Sequence, residues 1–209
     1  MSINKYKIVD LMEDVKALKV LLVLESPYIN EYIHNHPAAG KSANELTKFF
    51  TSQGYLSGFD NEMPLGCNIK MQEYKFLGIM NCSILPMNKE FYPCGISDDD
   101  LSLVNKLMSI RSTLGKNVQV EEMNKELFED DVFNEFSIRL SNVIKDSADN
   151  ELIIIPCGYV ATNFVNRFKE SYDKELVVLN SLPHPTAEDW HEKIKGLTIS
   201  AKISKEMLP

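Results

Sequence analysis

Four short aliphatic runs punctuate this chain, at residues 20–24, 76–80, 152–155 and 176–179. None alternates apolar with polar positions. Unbroken apolar character over four or five residues predicts strands covered on both faces, as in a parallel sheet between layers of helices. Between these runs the spacing becomes helical. Residues 43–50 put Leu46, Phe49 and Phe50 on one side. Residues 101–110 follow Ser97 and three aspartates, an N-cap with acidic groups suited to the positive end of a helix dipole. The strongest periodic segment is 121–145, where Leu127, Val132, Phe136, Leu140 and Ile144 recur every four or five residues. Helices at 159–168 and 187–194 complete the set, with Trp190 expected to anchor the last one. Residues 54–74 carry Gly54, Gly58, Pro64 and Gly66 and read as a long loop or a small antiparallel excursion near a site. The order β-α-β-α-α-β-α-β-α predicts an α/β fold. Its form is a three-layer α/β/α sandwich around a mainly parallel four-stranded sheet, with residues 1–209 as one domain.

Composition narrows the class. With 209 residues, 44% apolar and 25% charged, the chain suits one soluble domain with a proper core. No apolar stretch reaches the roughly 18 residues of a membrane span, and the first residues lack the apolar centre of a signal peptide. A cytoplasmic monomer with no membrane partner is expected. Cys67, Cys82, Cys94 and Cys157 form no C-x-x-C pair, so free thiols are expected and neither a metal nor another cofactor is. His34 and His36 flank Asn35; they read as solvated loop residues, with metal or phosphate contact as the alternatives. The net charge of −8 counts against a protein that coats nucleic acid. The acidic residues concentrate at 98–100 and 121–135, however, which leaves room for a local basic face.

The chemistry-bearing residues sit just past the strand-like runs. The first run breaks into Glu25-Ser26-Pro27-Tyr28, the second into Asn81-Cys82-Ser83, the third into Pro156-Cys157-Gly158-Tyr159, and the last leads to His184-Pro185-Thr186. Ligands of open α/β sheets bind beyond the carboxyl ends of the strands. A carboxylate and an imidazole delivered there from the first and last strands can work on one substrate. Gly40, Lys41 and Ser42 stand at a predicted helix start, where free amides and the helix dipole favour a phosphate. They do not make a nucleotide P-loop, which needs a glycine where Asn35 stands and a strand directly before it.

These motifs, in this order, resemble the uracil-DNA glycosylase superfamily. Leu24-Glu25-Ser26-Pro27-Tyr28 resembles the family's first motif, G-E-A-P-G or G-Q-D-P-Y. Residues 36–43, His-Pro-Ala-Ala-Gly-Lys-Ser-Ala, resemble its R-P-F-V-G-x-A-G loop. Asn81 ends the second strand as the family's base-reading asparagine does. Gly158 matches the glycine after the third strand, and His184-Pro185-Thr186 resembles H-P-S. Leu24 replaces the family's opening glycine, Ser26 stands where one branch places a catalytic aspartate, and the iron–sulfur cysteine set is missing.

The resemblance implies excision of uracil or a related deaminated base from DNA, single- or double-stranded, by metal-free hydrolysis. Positive charge develops on the sugar and negative charge on the departing base. Glu25 then handles the water, His184 stabilises the leaving group, Asn81 reads the base edge, and Tyr28 stacks on the base or walls off a larger one. Ser26, Pro27, Gly40, Lys41, Ser42, Pro185 and Thr186 complete the expected substrate contacts. Two other classes remain open: a protein of this fold that binds a nucleic acid or nucleotide without cleaving it, and a partner-binding protein using the acidic segment 121–131.

Overall fold

The computed structural model describes residues 3–115, 131–147 and 152–195. The aliphatic runs become strands β1 (Val20–Leu24), β2 (Leu77–Asn81), β3 (Ile153–Pro156) and β4 (Val177–Val178). They form one parallel sheet in the order β2-β1-β3-β4, with Leu22 opposite Ile79 on one side and Ile155 on the other. The helices are α1 (Ile29–His34), α2 (Asn44–Ser52), α3 (Leu65–Gln72), α4 (Asp98–Leu114), α5 (Asp131–Asp146), α6 (Tyr159–Ser171) and α7 (Trp190–Ile194).

The unbroken apolar runs have a simple cause. A strand sends alternate side chains to opposite faces, and here both faces are dry. Leu21, Val23, Met80 and Ile154 join one core with residues of α4, α5 and α6. Val20, Leu22, Leu24, Ile79, Ile153 and Ile155 join a second core with residues of α2, α3 and Trp190 of α7. This is the expected three-layer α/β/α arrangement. No helix among the described residues is long and apolar enough to cross a membrane.

Several boundaries move. Helix α4 begins at Asp98 and runs on to Leu114; the Ser97 hydroxyl accepts the Asp100 amide, as the cap signal implied. Residues 121–130, including Leu127, lie outside the described residues, so the predicted helix 121–145 is described only as α5. Strand β4 keeps just two residues, and both are half-buried. Helix α7 starts at Trp190, three residues later than expected, and Trp190 is buried in the second core.

The expected loop 54–74 contains α3, with Leu65 and Ile69 buried one turn apart. Gly66, which reads as loop punctuation, serves close packing instead. A Cβ there would fall 2.1 Å from the Pro37 carbonyl oxygen, so only glycine lets α3 lie against residues 36–38.

The strand order positions the site. From β1 the chain moves to β2 on one side and then returns to β3 on the other. The switch between β1 and β3 opens a crevice beyond their carboxyl ends.

Candidate active site

A cavity of about 790 Å³ occupies that crevice. Glu25 from the end of β1, Gly158 and Tyr159 from the end of β3, Arg111 and Ser112 of α4, and residues 181–184 line it. Backbone pairing carries on past the strand ends and fixes these groups. The Cys82 amide donates to Leu24 and the Ser83 amide to Glu25, holding the Glu25 backbone against β2. Beyond β4, the Leu182 amide donates to Pro156 and Leu182 accepts from the Gly158 amide, at 2.9 and 2.8 Å. The chain that follows the two-residue strand therefore runs back beside β3 and delivers His184 to the crevice.

Glu25 is 8% exposed, and its Oε1 accepts a 2.5 Å hydrogen bond from Arg111 Nε. Its Oε2 accepts no hydrogen bond from the described residues. Arg111 is the cation that sequence reasoning missed; at a helical position near the end of α4 it looks like an ordinary surface residue. Burial opposes its charge, but the contacts with Glu25 and Tyr28 outweigh this and raise its pKa. Tyr28 packs on Phe91 with ring centroids 4.3 Å apart and lies 6.1 Å from the His184 ring. Burial and the Glu25 charge raise the Tyr28 pKa, so its phenol stays neutral.

His184 is held in one tautomer. Its Nδ1 accepts the Thr186 amide at 3.2 Å and lies 2.7 Å from the Thr186 hydroxyl. A nitrogen that accepts an amide proton carries none itself, so Nε2 bears the ring proton. Burial lowers the pKa of His184, opposed by Glu25 and assisted by Arg111. The neutral ring thus presents an N–H donor. Gly158, at φ 86°, accommodates it: a Cβ there would stand 3.1 Å from the Cβ of His184.

A second cavity of about 220 Å³ adjoins the first through His184, which lines both. Ser26, Tyr28, Gly40, Lys41, Ser42 and Pro185 line the smaller cavity, while Thr186 lines the larger. Ser26 also accepts the Met87 amide at 3.3 Å. Lys41 and Ser42 belong to a 3-10 turn that precedes α2. Pro27 is buried and lines neither cavity.

Glu31 of α1, absent from the expected set, closes the smaller cavity. It is 6% exposed, and its two oxygens accept the Ala38 amide at 2.8 Å and Asn81 Nδ2 at 3.3 Å. Burial pushes its pKa up to about 7, against the lowering effect of these hydrogen bonds. Asn81, expected to read a base, is 2% exposed and lies on neither cavity wall; its amide faces Glu31. Its Oδ1 is buried and finds no partner among the described residues.

The structure also gathers His34, His36 and Cys67, whose nearest ligating atoms all lie within 4.8 Å of one another. The two histidines are not both the solvated loop residues expected: His34 ends α1 and His36 is buried. Cysteine spacing does not reveal the group, because Cys67 reaches it from α3, 31 positions beyond His36.

No protein-family model matches the chain, and no curated protein matches it.

Proposed function

We propose that this protein hydrolyses the N-glycosidic bond of a deaminated base, uracil or a relative, in DNA. The observation that carries this is the position of His184. It lines the wall common to two cavities, with the Glu25 carboxylate in the larger and the motif-one and Gly40–Ser42 residues in the smaller. The smaller cavity has room for one planar heterocycle flipped out of a stack. The larger suits the deoxyribose and its flanking phosphates, with Arg111 on its wall.

A glycosidic bond that crosses from one cavity to the other has both catalytic groups beside it. Glu25 Oε2 accepts a hydrogen bond from water and aims it at C1′, and the carboxylate charge stabilises the cationic sugar. The bond between C1′ and the base nitrogen breaks, and its electron pair leaves with the base. His184 Nε2–H donates to the carbonyl oxygen on which that negative charge gathers. A neutral donor is suitable here, because no proton need be lost at the transition state. The water's oxygen joins C1′, its proton passes to Glu25, and the base anion takes a proton from solvent on release. Ser42 and the exposed Lys41, at the mouth of the smaller cavity, provide a phosphate contact.

The test is incubation with single- and double-stranded oligonucleotides that carry uracil, hypoxanthine or xanthine, followed by alkaline cleavage. Strand breaks that depend on Glu25 and His184 support excision. A second reading, binding without cleavage, draws on the 2.5 Å Arg111–Glu25 contact, which engages the proposed catalytic carboxylate. It predicts gel retardation of the same oligonucleotides with no breaks.

A further inference from the structure

We propose that His34, His36 and Cys67 form a binding site for a zinc-class divalent transition-metal ion, outside both cavities. Two imidazoles and a thiolate are the donors that Zn²⁺ and its soft neighbours select, and they disfavour Mg²⁺ and Ca²⁺.

The geometry is close to that of a coordinated ion. His36 Nε2 lies 3.9 Å from Cys67 Sγ. Zinc bonds of about 2.0–2.1 Å to nitrogen and 2.3 Å to sulfur place tetrahedral ligands about 3.6 Å apart. Small rotations of side chains therefore close the set.

The ligands are also oriented by the fold. His36 Nδ1 lies 3.0 Å from the Pro37 carbonyl oxygen, which can only accept, so Nδ1 holds the ring proton. The lone pair then sits on Nε2, the atom that faces Cys67. This outer hydrogen bond is the device that fixes metal-ligating imidazoles in general. Asn35 caps α1 in the left-handed conformation, φ 56°, and turns the chain so that His36 comes back beside His34. Their ring centroids are 6.0 Å apart. Gly66 permits the approach of α3, since a Cβ there would stand 2.9 Å from His36 Nδ1. Lys70, one turn beyond Cys67, is engaged by Glu13 at 3.2 Å, which offsets its repulsion of a cation.

His36 is buried, Cys67 half-buried and His34 exposed. A bound ion thus keeps a fourth position for water on the outer side. It also ties the end of α1 to α3 and steadies the segment after His36, which lines the smaller cavity from Ala38 onward.

The experiment titrates the full-length reduced protein with Co²⁺, read by absorption, and with Zn²⁺, read by calorimetry. The expected result is one ion per chain, a thiolate-to-cobalt charge-transfer band, and the intense visible bands of a four-coordinate ion. Cys67→Ser removes that band and weakens Zn²⁺ binding by about 100-fold or more, at least the loss that an outer-shell change causes. His34→Ala, at an exposed position that tolerates substitution, weakens binding as well and covers the case in which Cys67→Ser does not fold. Cys94→Ser, at an exposed cysteine elsewhere, leaves binding unchanged. The proposal is overturned by no binding at micromolar Zn²⁺, by a cobalt spectrum without thiolate character, or by affinity that survives both Cys67→Ser and His34→Ala.

Discussion

Two arginines on the same side of the sheet use their donors in opposite ways. Arg139 of α5 spends its guanidinium on the scaffold. Its Nη1 binds both Asp10 oxygens at 2.7 and 2.9 Å, its Nε and Nη2 bind Glu135, and Nη2 also reaches the carbonyls of Asn81 and Cys82. Its side chain is 18% exposed. Burial lowers the Arg139 pKa, and the Asp10 and Glu135 contacts more than reverse this. For Asp10, burial is the larger effect and raises its pKa despite Arg139. Arg111 of α4 makes a short contact to Glu25, interacts with Tyr28, and has a side chain 36% exposed on the cavity wall. An ion pair with every donor committed holds elements together; one with donors unused among the described residues holds them less firmly. The contrast separates the pair that fixes the end of β2 from the pair on the wall of the larger cavity.

The most damaging change is expected at the saturated arginine. Arg139→Ala strands Asp10 and frees two carbonyls, and should cost about 3–5 kcal/mol of stability, read by urea unfolding. A loss below about 1 kcal/mol would erase the distinction between the two arginines.

Next come the cavity residues themselves. Glu25→Ala and His184→Ala should each lower base release by about 10²–10³-fold, roughly 3–4 kcal/mol of barrier, while both variants unfold near the wild-type temperature. Equal losses of activity and of folded protein would move these residues from chemistry to scaffold.

Glu31 tests the floor of the smaller cavity. Its folded pKa is raised, so the folded state retains the proton as pH climbs past the ordinary carboxylate value near 4.5. Stability supplied by the protonated form is complete below that value and is lost as pH rises to about 7. Glu31→Gln, which cannot ionise, should match the wild type in acid. It should gain on it through this window and remain up to about 3 kcal/mol more stable above it. A pH-independent difference would show that Glu31 does not titrate there.

A small effect on stability is also expected at Arg111. Arg111→Gln should change the unfolding free energy by no more than about 1 kcal/mol, since the pair is partly solvated. Base release should nevertheless fall, because the Glu25 carboxylate loses the hydrogen bond that Arg111 gives it. An Arg111→Gln protein that unfolds like Arg139→Ala would make both arginines structural.

Much of the fold is legible along the chain because burial on both faces of a sheet leaves a local signature. The runs at 20–24 and 152–155 lie within a residue of β1 and β3, and Ser97 with three aspartates announces α4. The meeting of Glu25 and His184 at one cavity follows from strand order and the rule that loops at carboxyl ends face a common crevice. Helix α3 was hidden because Gly66 and Pro64 carry loop signals, although the glycine is there for a close approach of backbone.

The sequence by itself determined the layers, since periodicity reports which face of an element is dry. Tertiary structure alone decided who meets whom within them. Arg111 reaches Glu25 across 86 positions, Asn81 reaches Glu31 across 50, and Cys67 reaches His36 across 31. Such contacts depend on how helices pack over the sheet, and no local pattern of apolar and polar residues encodes which polar groups that packing brings within a few ångströms.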